Sequence, residues 1–286
     1  MDSVKTLDEL FASAVAAIDT GDVTALERLI TEHPRLVRDR LDVAGSWLRD
    51  KVGGALDGFF AKPYLLWFVA EDPVRNGKLP ANIADVARTI VRATEREGAT
   101  TLREQLDYAL RLVSWSWIAR DCQVQIDLLD VLIDAGASPE GRPDDALVNG
   151  NVAAAAHLVD RGATVTLATA LCLARWEDVR RLGSTASAQE RQFAFILSAL
   201  RGRADALARV IDLGVDLNAP CADLYSHATA LHHAVYSGSL DAVKVLVEAG
   251  AGLDTRDRVY GGTPLSWAEY GKHAEIAEYL RERAGS

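Results

Sequence analysis

Cysteine is scarce in this chain: three in 286 residues, Cys122, Cys172 and Cys221, widely spaced and odd in number. They form no CxxC pair, so neither a disulfide framework nor a paired-thiol metal ribbon is written into the sequence. The expectation is three reduced, mostly buried thiols in a cytoplasmic protein. Long apolar runs are missing as well. The longest strongly apolar stretch, Tyr64 to Ala70, falls far short of the roughly 20 residues that a membrane-spanning helix needs. The first residues carry acids among their apolar positions and no basic start before an apolar run, which argues against a secretory signal. Basic excess is absent too. With 31 Lys and Arg against 41 Asp and Glu, the net charge is -10, which disfavours nucleic acid or an anionic membrane as the partner. Catalytic signatures are also lacking: the sequence holds no G-x-S-x-G elbow, Walker A loop, dinucleotide fingerprint or HExxH helix. What is present, 49% hydrophobic and 25% charged residues, is the balance of an ordinary globular protein rather than a disordered or collagen-like one.

The C-terminal third repeats itself. Thr229-Ala230-Leu231-His232-His233-Ala234 and Thr263-Pro264-Leu265-Ser266-Trp267-Ala268 lie 34 positions apart, and each precedes a second helical pattern. Thr caps the first helix, Pro suits its first turn, and Leu and Ala face inward. Gly238 breaks the chain so that an antiparallel helix can start, with Val243, Leu246 and Val247 as its packed stripe. Gly250 closes that helix in a left-handed conformation. Weaker copies of the second helix recur upstream. They lie at Gly202 to Gly214, Gly150 to Gly162, Leu128 to Ala137, Arg175 to Leu182 (without a closing glycine) and Gly21 to Ile30.

This pattern resembles the ankyrin repeat, whose period is about 33 residues and whose signature is T-P-L-H-x-A. The resemblance implies an all-α fold: an ankyrin-repeat solenoid of about seven to eight helix-turn-helix units, with 1–286 as a single array. A first unit falls at 7–36, divergent units at 40–122 with an insertion at 72–82, degenerate units at 124–182 and regular repeats at 193–283. In the divergent part, Lys62 to Ala70 reads as a first helix and Gly53 to Gly58 as a flexible turn. A helix follows with Ile83, Val86, Ala87, Ile90 and Val91 on one face, and a helical pair runs through Leu102 to Ile118. The chain also resembles a group of bacterial ankyrin-repeat proteins, and 25 arginines against 6 lysines suit a GC-rich bacterial source.

In an ankyrin stack, the resemblance implies that partners bind the finger turns before each first helix and the concave face at that helix's end. Transferred by position, the partner-binding candidates are Tyr225, His227, Tyr236, Arg258, Tyr260 and Tyr270. The expected function is a protein–protein interaction module that binds another, unidentified protein and needs no cofactor, metal or catalytic residue. The acids at Glu27, Asp134, Asp160, Asp212, Glu248 and Glu278 are expected to form a solvated outer face. The alternative is a small-molecule-binding protein or enzyme, with a pocket between the irregular 40–122 region and the regular stack. Arg75, Asn76, Lys78, Arg120 and Cys122 would line it, with Cys122 as an activated thiolate beside Arg120 and Asp121. A third pattern, Cys221, Asp223, His227, His232 and His233, has metal-ligand chemistry. Adjacent His232 and His233 point about 100° apart on a helix, and the resemblance gives His232 a structural role, so no metal is expected. Trp67, Trp115, Trp117, Trp176, Trp267 and His233 are expected inside the fold.

Overall fold

The computed structural model describes residues 5–285 and divides into two compact units, the first ending at Thr164 and the second beginning at Val165. Every regular element among the described residues is helical, apart from one isolated antiparallel bridge between Cys221 and Leu224. None of the described helices is long and apolar enough to cross a membrane.

The first unit contains α1 (Leu7–Thr20), α2 (Val23–Glu32), α3 (Arg35–Arg38), α4 (Ser46–Val52), α5 (Ile83–Arg96) and α6 (Leu102–Trp115). It ends with α7 (Trp117–Asp121), α8 (Gln125–Asp134), α9 (Arg142–Val148) and α10 (Val152–Asp160). Thr6 opens α1 through a capping box in which Thr6 N donates to Glu9 at 2.7 Å and Glu9 N donates back at 3.3 Å. On α5 the apolar positions spaced three and four apart, Ile83, Val86, Ala87, Ile90 and Val91, are all buried.

Two stretches differ from the sequence expectation. Gly53–Asp57 is a 3-10 helix rather than a flexible turn. The expected helix near Tyr64 is another short 3-10 helix, Leu65–Ala70, with all six residues buried. It stops because Glu71 takes a left-handed conformation and turns its buried carboxylate onto the next loop. One carboxylate oxygen accepts the backbone N–H groups of Arg75 (2.8 Å), Asn76 and Gly77 (2.9 Å). The other lies 3.0 Å from the Arg75 guanidinium, which also donates to Asp19 at 2.7 Å and to the Phe68 carbonyl at 2.8 Å. The 72–82 insertion is thus pinned to the fold through Arg75 and three backbone N–H groups, held by Glu71 and Asp19 outside it. Burial, with the Glu71 charge beside it, pushes the Asp72 carboxyl up to about 6.

The second unit contains α11 (Leu167–Cys172), α12 (Trp176–Gly183), α13 (Ala188–Leu200) and α14 (Ala204–Ile211). It closes with α15 (Ala230–Tyr236), α16 (Leu240–Glu248), α17 (Pro264–Tyr270) and α18 (Ala274–Ala284). First helices stack on first helices, α11 on α13, α13 on α15 and α15 on α17, while each second helix covers its own partner. Paired helices turn on one left-handed residue: Ala174, Gly202, Gly238 and Lys272 in this unit, and Gly21, Gln123 and Gly150 in the first. The GSTASAQE stretch is a loop and cap, with Ser187 and Glu190 forming a capping box for α13. The recurring acids Glu27, Asp134, Asp160, Asp212, Glu248 and Glu278 are all exposed.

The tryptophans follow expectation only partly. Trp67 is buried, whereas Trp117, the first residue of a five-residue helix, is 50% exposed. Trp115 and Trp176 are half-buried under the guanidinium groups of Arg111 and Arg209, at 4.7 and 4.3 Å.

Replacing Arg75 with alanine leaves Glu71 buried without a countercharge and is expected to destabilise the fold by roughly 3–5 kcal/mol. Urea denaturation followed by circular dichroism measures this. A loss below about 1 kcal/mol, the scale of an ordinary surface change, would show that the loop is not held by this pair.

Candidate partner-binding surface

The finger before α17 is built around one carboxylate. Asp257 Oδ1 accepts the backbone N–H groups of Val259 (2.9 Å) and Tyr260 (2.6 Å). Its Oδ2 accepts Gly262 N at 2.8 Å and the Trp267 indole Nε1 at 3.0 Å. Asp257 N donates to the Gly262 carbonyl at 2.9 Å, closing the turn through Gly261, whose φ of 66° is left-handed. Desolvation raises the Asp257 carboxyl, but the four donors outweigh it and hold it at about 2. Folding the chain this way pushes Val259 and Tyr260 outward, 63% and 79% exposed.

The finger before α15 is joined to this one. Arg258 N donates to the His227 carbonyl at 2.7 Å. The His227 ring lies 6.4 Å from Tyr260, 6.1 Å from Trp267 and 6.4 Å from Tyr225. Tyr225 itself holds a left-handed φ of 47°, a conformation unfavourable for a side chain of its size by about 1–2 kcal/mol.

Tyr236 and Tyr270 occupy equivalent positions at the ends of α15 and α17, 67% and 92% exposed. With Tyr260, Ser266, Trp267 and His273 they line a groove of about 680 Å³. Of the six candidate residues, Tyr236, Tyr260 and Tyr270 therefore meet in one groove. Tyr225 and His227 border it through ring contacts, and Arg258 is exposed on the finger.

Beneath the fingers, His232 is fully buried. Its Nε2 lies 3.1 Å from the Gly262 carbonyl and its Nδ1 lies 2.8 Å from Thr229 Oγ1. A carbonyl only accepts, so Nε2 carries the proton and the Thr229 hydroxyl donates to Nδ1. His232 thereby ties one repeat to the finger of the next. Burial lowers its pKa, and burial together with the charges of His227 and His232 pushes His233 down to about 4. Both rings are neutral at pH 7.

The metal-ligand pattern read along 221–233 is used otherwise. His232 has both nitrogens bonded, Asp223 accepts from Gln189 at 2.7 Å, and burial pushes the Cys221 thiol up. Among the described residues, no three His, Cys, Asp or Glu side chains gather in a way that would hold a metal ion.

The alternative ligand residues lie in the first unit. Arg75 is buried in its ion pairs, and Asn76 accepts from Lys51 at 2.9 Å. Lys78 is exposed. Arg120 donates to Asp121 at 2.9 Å and to Asn151 at 3.2 Å. Cys122 Sγ accepts Leu79 N at 3.4 Å, which brings the insertion against this thiol.

The family model described as ankyrin repeats (3 copies) matches residues 122–257 and again 195–286, more than half of the chain. The chain belongs to the ankyrin-repeat family. Human cyclin-dependent kinase inhibitor 2A is 35% identical over 123 residues, which is 42% of this chain and 77% of that protein. Bovine cyclin-dependent kinase 4 inhibitor B is 40% identical over 82 residues, 27% of this chain and 60% of its own length. Human protein phosphatase 1 regulatory subunit 27 is 47% identical over 55 residues, 19% of this chain and 35% of its own length. The similarity is to vertebrate ankyrin-repeat proteins and so is not specifically bacterial.

Sequence reasoning missed two residues that shape this ankyrin surface. Trp267 is at the position expected inside the stack, yet it is half-buried and forms a wall of the groove. Asp257 was not singled out. Its signal was an Asp five residues before a Gly that ends a short loop, the pattern of a side chain capping its own turn.

The neutral histidines give this unit a pH dependence. Between the ordinary value of 6.5 and about 4, unfolded chains bind a proton that folded His233 refuses. Stability is therefore full above pH 6.5 and falls by roughly 2–3 kcal/mol as the pH drops to 4. His233→Phe should flatten that part of the urea-midpoint profile, and an unchanged profile contradicts the assignment.

Proposed function

We propose that this ankyrin-repeat chain acts by binding another protein through the fingers and groove of its second unit. The observation that carries the reading is the gathering of Tyr236, Tyr260 and Tyr270, each at least two-thirds exposed, around a groove walled by Trp267. Large aromatic side chains open to solvent contribute nothing to the fold's core. They supply apolar area, a hydroxyl and little rotamer entropy, which is why such residues dominate protein-binding hot spots. The relatives support the same class of activity, since inhibitors of a kinase and a regulatory subunit of a phosphatase are named for what they do to another protein.

The small-molecule reading of the 72–82 loop has less support. Arg75 and Asn76 are engaged within the fold, and Arg120 already has two partners. A cytoplasmic setting and a bacterial source belong to the proposal too, supported by three free cysteines and the arginine-rich composition.

The test is the triple variant Tyr236→Ala, Tyr260→Ala, Tyr270→Ala, compared with wild type in affinity purification from the native cell and quantitative mass spectrometry. The variant should fold with stability within about 0.5 kcal/mol per exposed site and lose the specific partner. Recovery of the same specific proteins by both would overturn the proposal.

A further inference from the structure

Tyr236 and Tyr270 are the last residues of α15 and α17, two first helices stacked on each other. The slot between the helix ends has a flat floor. The His273 ring lies against Gly238, where a Cβ would meet its Cε1 at 3.2 Å, and against Gly271, where a Cβ would meet its Cδ2 at 2.7 Å. Glycine at both positions lets an imidazole, rather than a bulky chain, close the space. Tyr260 and Trp267 complete the groove of about 680 Å³.

None of the residues lining this groove is an aspartate, glutamate, lysine or arginine. The stretches that build it, 229–240 and 251–273, are balanced as well. They hold three acids, Asp254, Asp257 and Glu269, against three bases, Arg256, Arg258 and Lys272, in a chain whose net charge is -10. Asp257 is engaged in its own turn, and Glu269 pairs with Arg281 at 2.6 Å. Arg258 and Lys272 are exposed beside the groove rather than in its lining. A charged side chain entering the groove would leave water with no countercharge in the lining to meet it, so the site complements an uncharged segment.

The spacing of the rings selects the backbone form of that segment. Packed helices lie about 8–10 Å apart, which sets the step between equivalent positions such as Tyr236 and Tyr270. A polyproline II helix returns to the same face every three residues, about 9 Å along its axis. An extended strand returns every two residues, about 6.7 Å, and an α-helix every turn, about 5.4 Å. Of the three, only the first meets both rings with successive residues of one face. Hydrogen bonding agrees. Proline has no N–H, so a proline-rich segment presents carbonyls alone and needs donors. The Trp267 indole already donates to Asp257 at 3.0 Å, and the Ser266 hydroxyl is bonded to Thr263. The hydroxyls of Tyr236, Tyr260 and Tyr270 make no hydrogen bond among the described residues and can donate.

We propose that the groove receives an uncharged, proline-rich segment of the partner protein in the polyproline II form, with prolines three residues apart packed on Tyr236 and Tyr270. Such a segment is ordered before it binds, which keeps the entropic cost of docking low. The inference rests on the proposed function and names the chemistry that its groove recognises.

The probes are capped peptides: octa-L-proline, its mirror image octa-D-proline, an alternating glycine-serine peptide of equal length, and a longer uncharged amphipathic helix. The readouts are the side-chain resonances of Tyr236, Tyr260, Tyr270 and the Trp267 indole in the full chain. Octa-L-proline should shift them in a saturable way at millimolar concentration. Octa-D-proline, whose helix has the opposite hand, and the flexible glycine-serine peptide should bind at least about five-fold more weakly. Tyr236→Ala and Tyr270→Ala should each weaken octa-L-proline about ten-fold, the loss of one aromatic contact, and leave the thermal midpoint unchanged. No saturable shift with octa-L-proline, equal binding of either control, or unweakened binding by both variants overturns the proposal. Tighter binding of the amphipathic peptide overturns it too, by making the groove a helix site. If octa-L-proline fails to bind while the triple tyrosine variant loses its partner, this inference fails and the groove stands. If octa-L-proline binds but the triple variant keeps every partner, the proposed function fails instead.

Discussion

A helix of seven residues closes too few of its own hydrogen bonds to persist in water, so α15 and α17 exist only because something buries one side of each. That constraint orders the second unit. Ala230, Leu231, Ala234 and Val235 of α15 are buried, which first-helix stacking on both neighbours achieves. The second helices Leu240–Glu248 and Ala274–Ala284 close the other side and place their acids in water. With the inner face fixed by packing and the outer face by charge, the finger turns and the first-helix ends are left free to vary. Those are the positions where the tyrosines stand.

Asp257 shows how such a free position becomes rigid without a core. One carboxylate satisfies three backbone donors and an indole, so a loop with almost no buried apolar side chain still has one conformation. His232 reaches the same finger from the neighbouring repeat through the Gly262 carbonyl. The aromatic surface is therefore held in advance, which reduces the ordering entropy that binding would otherwise cost.

The repeat was legible because its constraints are local. A threonine cap, a helical apolar period and a left-handed closing residue leave marks in a single sequence, and α5 and α13 to α18 follow them closely. Tyr236, Tyr260 and Tyr270 were legible as exposed because their positions in the repeat are fixed by that register. Other features depend on partners far apart in the chain. Glu71, Arg75 and Asp19 meet across 56 residues, and nothing near Arg75 reveals that its charge is already matched. The 3-10 helix Leu65–Ala70 ends at the same cluster, with Glu71 as its cap and the Phe68 carbonyl accepting from Arg75. Trp117 was misplaced because hydrophobicity alone does not say which side of a five-residue helix faces out.

The most direct test of the aromatic surface as the binding site is oxidative footprinting of the chain alone and in complex with its captured partner, read residue by residue. Tyr236, Tyr260, Tyr270 and Trp267 should lose reactivity in the complex while the similarly open Trp117 keeps its own. Unchanged reactivity at those four residues, with protection falling on the 72–82 loop and Cys122, would contradict it.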